Sequence, residues 1–316
     1  EGRSYWQEQV FDNLLNYKGE FGKHSINGLL GTSLNMQESN WNNVGVEGKK
    51  IVYSVENGAL VTKENAEGFL DPNFMTISSG QGGTFSADGT KYDYNRMSIF
   101  GRVNYSYANR YLVQLTMRRD GSSKFGKDSR YGNFPSIALG WKIDEESFFP
   151  KETILSNLKL RGSWGKLGNE VALGYYDHQA LISTYNNLYM GYVRGSGNPW
   201  PGSIAMGLEN RLLSWETTES KNIGADFGLF NNKLKGSVNY FIKTTNDLLI
   251  TKKVAPSSGL EDPTLNVGKI RNSGFELELK YGDRKNDFQY DIGLNLSTLK
   301  NKVVSLANED QILLGN

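Results

Sequence analysis

The residues able to do chemistry in this chain are few and badly spaced for it. Its 316 residues include no cysteine and two histidines, His24 and His178. Without cysteine there is no thiolate nucleophile, no disulfide framework and no Cys-ligated zinc site. The histidines lie far apart and neither has a ligand pattern beside it, which argues against a histidine metal centre or a His-based triad. Two carboxylate pairs, Glu276/Glu278 and Asp287/Asp291, each share one face of an alternating segment. Paired carboxylates can hydrolyse glycosides, but the alternation reads them more simply as polar residues on the wet side of a sheet. Arg119-Asp120-Gly121-Ser122-Ser123 lacks the Gly-x-x-x-x-Gly-Lys spacing and the following helix of a phosphate loop. It reads as turn chemistry at a strand end. Glu309-Asp310 has no calcium-loop spacing. No enzymatic activity and no cofactor are expected.

Binding residues are easier to find. Tyr185, Tyr189, Tyr192, Arg194 and Trp200 fall in one glycine-punctuated segment, and Trp41 falls in another. Exposed rings and a guanidinium on a loop can stack on sugar or peptide, and loops often carry function. Tyr189, Tyr192, Arg194 and Trp200 are the candidate ligand contacts. The competing reading is that these rings pack the loops on each other or on a partner.

The elements that would position such loops are strands. Apolar residues recur with period two, the signature of a sheet with two different faces. Met97, Ile99, Val103, Tyr105 and Tyr107 alternate with Ser98, Arg102, Asn104 and Ser106. The same holds for Tyr111–Met117, Ile137–Ile143, Leu158–Trp164, Ile223–Leu229, Leu234–Ile242, Phe275–Tyr281 and Phe288–Leu296. These runs reach ~9–11 residues, the length of a tilted membrane strand, where globular strands average ~5–6. Segments 7–16 and 20–31 give weaker strand signals, and at most a turn of helix is expected near Asp144–Leu155.

The connections alternate as well. Short ones fall at Tyr17–Glu20, Ala108–Arg110, Phe230–Asn232 and Tyr281–Asn286, with Asp144–Ser156 the longest on that side. Long ones cover about 32–96, 120–133, 167–212 and 249–265. Short turns on one side and long loops on the other are the arrangement of an outer-membrane barrel, with the short side periplasmic. Strands ending at Ala108, Lys142, Leu229 and Tyr281 then run inward. Aromatics gather near the short turns (Tyr105, Tyr107, Tyr111, Trp141, Phe227, Tyr281, Phe288, Tyr290), where an interfacial girdle needs them.

Composition agrees. Mean hydropathy is −0.51 and the hydrophobic share 38%, as expected when only alternate residues meet lipid. No stretch approaches the ~18 consecutive apolar residues of a spanning helix. A net charge of +1 offers no field for nucleic acid. Glu1–Trp6 does not read as a signal peptide and Ile312–Asn316 does not read as a finished strand, so both ends are expected to be cut from a longer chain.

Several segments resemble a known family. Gly101-Arg102-Val103-Asn104-Tyr105-Ser106-Tyr107, Arg110-Tyr111-Leu112 and Arg118–Gly126 are similar to the SusC/RagA family of TonB-dependent outer-membrane transporters. Tyr131–Ser136, Gly140-Trp141, Leu160–Gly165, Gly168-Asn169, Ser214–Thr218, Asn222-Ile223-Gly224, Asn266-Val267-Gly268 and Asn272–Glu276 follow in the family's order, as does the Asn295/Asn301 region. The match covers roughly 97–305.

The resemblance implies an all-β fold: a partial antiparallel transmembrane β-barrel over 1–316, about half of a barrel of about 22 strands, without its plug and closing strands. It also implies import of oligosaccharides or peptides, energised through TonB by a plug segment absent from these residues. The implied partner is a SusD-like surface lipoprotein acting as a lid, with outer-membrane lipid around the barrel. A passive porin or adhesin barrel, or a soluble all-β carbohydrate-binding domain, would be the alternatives on periodicity alone.

Overall fold

The computed structural model describes residues 2–47, 50–65, 84–150, 154–189, 201–205, 207–285 and 287–306. Among these there is no α-helix, only single 3-10 turns at Ile143–Glu145 and Pro256–Ser258. The strands are β1 (Gly2–Phe21), β2 (His24–Glu47), β3 (Lys50–Glu56), β4 (Ala59–Asn65), β5 (Thr84–Tyr107), β6 (Tyr111–Ser122), β7 (Tyr131–Lys142), β8 (Leu155–Asn169) and β9 (Ile182–Tyr189). They continue with β10 (Pro201–Ala205), β11 (Glu216–Leu229), β12 (Leu234–Asn246), β13 (Leu249–Thr251), β14 (Thr264–Asn266), β15 (Lys269–Lys285), β16 (Phe288–Ser297) and β17 (Lys300–Ser305).

One sheet takes the long strands in the order β1-β2-β5-β6-β7-β8-β11-β12-β15-β16, with β17 also on β15. It is an open meander whose intervening pairs, β3–β4, β9–β10 and β13–β14, form separate two-stranded sheets. By contacts the chain forms two compact units, residues 1–10 with 35–95 and residues 11–34 with 96–316. In the first, Glu8 accepts from Asn35 at 2.7 Å and from Gln37 at 2.8 Å, and Lys91 pairs with Glu38 at 3.2 Å.

β16 and β17 are one strand in register. Ser297 opposes Glu276 and Lys300 opposes Ser273. Between them the Thr298 hydroxyl accepts from the Phe275 amide at 3.1 Å, while the Thr298 amide donates to the Phe275 carbonyl at 2.8 Å. A side-chain oxygen thus stands in for a ladder acceptor.

The register sorts the two faces. One hydrogen-bonded row reads Tyr107, Tyr111, Trp141, Leu160, Ala225, Val238, Leu277, Leu296 from β5 to β16. A neighbouring row on the other face reads Leu112, Gly140, Arg161, Gly224, Asn239, Glu276, Ser297. Side chains on a strand alternate between faces, so every apolar set expected from sequence in β5–β16 falls on one side. That side is uncovered: Leu115 is 49% exposed, Ile223 66% and Leu294 57%. Burying such a side chain would contribute about 1.5–3 kcal/mol, and a water-soluble sandwich would have taken it.

The buried cluster lies elsewhere. Phe125, Phe134, Leu173, Leu213, Trp215 and Leu249 pack together. Only Phe134 and Leu249 belong to strands. Phe134 stands opposite Arg118, on the polar face. The core of this unit is therefore loop against polar face, not sheet against sheet.

Some boundaries differ from expectation. The first hairpin turns at Gly22-Lys23, where Gly22 has φ +59°, and not at Tyr17–Glu20, which continue β1. A left-handed position favours glycine, and Gly22 supplies it. β2 runs to Glu47 and β5 starts at Thr84, inside the long connection expected over 32–96. β6 and β8 likewise run to Ser122 and Asn169. The sequence signal stops where alternation stops, but backbone pairing continues with polar side chains on both faces. The turn at Ala108-Asn109 is where the sequence puts it. Both residues have positive φ, 49° and 55°, and Arg110 N–H bonds the Tyr107 carbonyl at 2.9 Å, as a type I′ hairpin requires.

Candidate functional site

Two surfaces could handle a ligand, both in the unit of residues 11–34 and 96–316. The first is the polar face of the sheet. It carries a concavity of about 380 Å³ lined by Asn104, Gln114, Lys159, Arg161, Ser163 and Asn222 among others. Lys159, Arg161 and Ser163 share that face because they alternate along β8, and the register sets Asn104 opposite Gln114 and Asn222 opposite Ser163. Arg161 is held there by Asp226 at 3.1 Å and donates to the Ser237 hydroxyl at 2.9 Å. Nearer the loops, Arg118 Nε reaches both carboxylate oxygens of Asp120, at 2.7 and 2.8 Å. Its terminal nitrogen donates to buried Ser98 at 2.8 Å, and its guanidinium lies 5.2 Å from the Phe100 ring centroid. These are charged groups paired in place on a wet surface, not isolated acids or bases. Among the described residues, no cluster of His, Cys, Asp and Glu could hold a metal ion.

The second surface is the body of loops above that face. Trp215 is its hub. Its ring sits 4.7 Å from Phe125 and 5.5 Å, edge-on, from Phe134, and its indole N–H donates to the Arg130 carbonyl at 3.3 Å. The Phe134 ring has room because Gly132 and Gly168 flank it; a Cβ at either would strike the ring. Polar ties complete the body. Asn266 accepts from the Ser214 amide at 2.7 Å and donates to the carbonyls of Ser214 and Asp247 at 2.7 and 3.1 Å. Glu216 accepts from Asn169 at 2.9 Å and from the Leu249 amide at 3.1 Å. Lys124 donates to the Leu173 carbonyl at 2.7 Å, and His178 Nδ1 donates to the Lys124 carbonyl at 3.1 Å. His178 is thus a structural donor. At the loop tip over 253–262, Asp262 takes Lys253 at 2.7 Å and the Val254 amide at 2.9 Å. The Lys253 bond, then the amide, hold the Asp262 carboxyl below its ordinary range.

At the opposite end of the strands the aromatics line up. Tyr107, Tyr111 and Trp141 are spaced 6.4 and 6.5 Å apart in near-parallel planes, and Tyr281 lies 6.0 Å from Tyr290. Glu146 receives the Tyr111 hydroxyl at 2.6 Å, the Trp141 indole N–H at 3.0 Å and Arg110 at 3.0 Å. The Tyr111 bond first, then the indole and the guanidinium, keep its carboxyl low.

Of the sequence candidates for ligand contact, Tyr189 ends β9, its backbone opposite Pro201 of β10. Tyr192, Arg194 and Trp200 lie outside the described residues. The carboxylate pair Glu276/Glu278 is on the polar face, opposite Asn239 and Ser237. Sequence reading did not single out Phe125, Phe134, Trp215, Glu216 and Asn266 as a set. The signal was present: they sit inside the very motifs Arg118–Gly126, Tyr131–Ser136, Ser214–Thr218 and Asn266-Val267-Gly268 that carried the family resemblance.

Known proteins agree with this geometry. The family model for the TonB dependent receptor-like β-barrel matches residues 2–314. The TonB-dependent receptor SusC of Bacteroides thetaiotaomicron is 38% identical over 218 residues, 68% of this chain and 21% of that protein. The TonB-dependent receptor P39 of Formosa agariphila is 32% identical over 302 residues, 95% of this chain and 26% of that protein. Among solved structures, the RagAB peptide transporter superposes with a TM-score of 0.78 at 26% identity, over 97% of this chain and 31% of that one. The chain spans about a quarter of the length of the curated relatives it matches. It belongs to the TonB-dependent receptor-like β-barrel family and is of the SusC/RagA type.

Proposed function

We propose that this chain is the barrel portion of an outer-membrane importer that moves oligosaccharides or peptides inward with energy delivered through TonB. The observation that carries the reading is the division of labour across one sheet. An uncovered apolar face suits hydrocarbon, and the opposite face bears paired charges and an anchored body of loops. The work of such a surface is to hold a polar path and to present loops. A SusD-like surface lipoprotein is the proposed partner above the loops, and Tyr189, Tyr192, Arg194 and Trp200 are the proposed ligand contacts. The relation to a peptide transporter supports a peptide as readily as a glycan.

The test is uptake by cells expressing the full-length protein, with and without TonB. Uptake that stops without TonB, together with recovery of a surface lipoprotein on purification, is the expected result. Uptake that persists unenergised would make the barrel a passive pore. Trp200→Ala should weaken ligand retention while leaving the folded barrel's electrophoretic mobility unchanged.

A further inference from the structure

Charge is not spread evenly over the polar face. From Arg96 onward, the paired stretches of β5–β8 turn Arg96, Arg102, Arg118, Lys142, Lys159 and Arg161 to that face. Among the described residues of those stretches, Asp120 is the one carboxylate there. On β15 and β16 the same face mixes Glu276, Glu278 and Asp291 with Lys280 and Arg284.

Most of the β5–β8 cations have a fixed partner. Arg118 is held by Asp120 and Arg161 by Asp226. Arg102 donates to the Thr116 hydroxyl at 3.3 Å, and Lys142 to the Asn109 carboxamide at 3.0 Å. Lys159 differs. It is half-buried and stands directly opposite Lys142 in the register, a position where like charges repel. Its neighbour on the other side is Asp226, whose carboxylate is already engaged by Arg161. Among the described residues, Lys159 has no ion-pair partner. Its stem lies across Gly140, with Cε 3.4 Å from where a Cβ would stand, so the glycine makes room for it.

Lys159 and Arg161 both line the concavity of about 380 Å³, together with Asn104, Gln114, Ser163 and Asn222. Carboxamides present a donor beside an acceptor, and a hydroxyl is both, which matches a run of sugar hydroxyls. An ammonium takes an acid group through a charge-assisted hydrogen bond. An extended peptide adds to a free strand edge, and none is offered here: β6, β7 and β8 are each paired on both sides.

We propose that this concavity is a subsite for an anionic oligosaccharide, with Lys159 taking the acid group and the carboxamides and Ser163 taking neighbouring hydroxyls. The inference rests on the import reading above and narrows its substrate class. A face lined by one sign of charge raises the local concentration of the opposite sign, so the β5–β8 sector draws such a substrate along the wall.

The experiment uses the full-length protein in detergent on an array of paired glycans. Uronate oligosaccharides stand beside their carboxyl-reduced forms, and sulfated oligosaccharides beside their desulfated forms, so the array also tells which acid is taken. The expected result is retention of at least one acidic form about tenfold or more over its neutral counterpart, weakened by salt. Lys159→Gln should remove the preference, Lys159→Arg should keep it, and Lys280→Gln on β15 should leave it unchanged. Heat-modifiable mobility on gels checks that each variant is folded. Equal retention of paired forms, no retention of any glycan, or an unaffected Lys159→Gln variant would overturn the proposal. So would an equal loss of acidic and neutral forms in that variant, which would assign Lys159 to seating the protein's own remaining segments. Uptake with and without TonB is followed in parallel. If uptake needs TonB and the acid preference is absent, only the subsite falls; if uptake persists unenergised, the importer reading falls whatever the array retains.

Discussion

Large apolar side chains collect in two regions of this molecule, and the two obey opposite rules. On the sheet's apolar face, Leu115, Ile223 and Leu294 stand about half exposed or more, each in a run that alternates with polar neighbours. In the loop body, Phe125 and Leu213 are fully buried and Trp215 nearly so, with no periodicity at all. The first region is continuous and expects its solvent to supply the contacts. The second supplies its own, and it is the only place where the chain builds a packed interior among the described residues. Hydrophobicity here reports two environments: lipid for the face, protein for the cluster.

Three changes break this contrast and one sharpens it. Trp215→Ala removes a ring from a packed interior, where such truncations cost about 3–5 kcal/mol. Proteolysis of the segments around Phe125 and Leu213 should accelerate strongly, while the barrel itself stays folded in detergent. Ile223→Arg puts a charge on the apolar face, for which about 2–4 kcal/mol near the bilayer midplane is expected. Asn295→Arg, on the polar face opposite Glu278, should change unfolding in urea by less than about 0.5 kcal/mol. A double-mutant cycle of Arg161→Met and Asp226→Asn should give a coupling of about 0.2–1 kcal/mol, since the pair is a third exposed on each side and screened.

The smallest effect concerns pH. Asp262 has a depressed carboxyl, so its clasp on Lys253 and the Val254 amide contributes fully above the ordinary carboxylate range near pH ~4. The contribution is lost as pH falls through the lowered value. Exchange of the Val254 amide should therefore quicken only in strong acid, and Asp262→Asn should quicken it at neutral pH.

Alternation made the sheet legible because one face of each membrane-length strand is kept predominantly apolar over its middle. Ile223, Ala225, Phe227 and Leu229 have no other way to be arranged. Where strands leave that constraint the signal disappears: β2 beyond Leu34 ties to Glu8 of β1 through Asn35 and Gln37, which look like a loop in sequence. The turn at Gly22 was missed for a related reason. Lys18-Gly19-Glu20 looks like a turn, but β1 accepts Gly19 beneath the rings of Tyr17 and Phe21. The loop body was illegible because it depends on distant pairs. Nothing near Trp215 announces Phe125 or Phe134, and nothing near Asn266 announces Ser214; only the recurrence of their short motifs in a known order hinted that they act together. Of the candidate ligand contacts, Tyr192, Arg194 and Trp200 lie outside the described residues, and Tyr189 is placed by its backbone alone.

The central claim, that alternate side chains of one sheet meet hydrocarbon while their neighbours meet water, has a direct test. These 316 residues contain no cysteine, so single cysteines at 275 through 281 of the full-length protein, reconstituted in vesicles, can carry nitroxide labels. Collision with oxygen and with a water-soluble nickel chelate should alternate along the strand, oxygen dominating at Phe275, Leu277 and Leu279 and the chelate at Glu276, Glu278 and Lys280. Equal access of the chelate to all of them would contradict it.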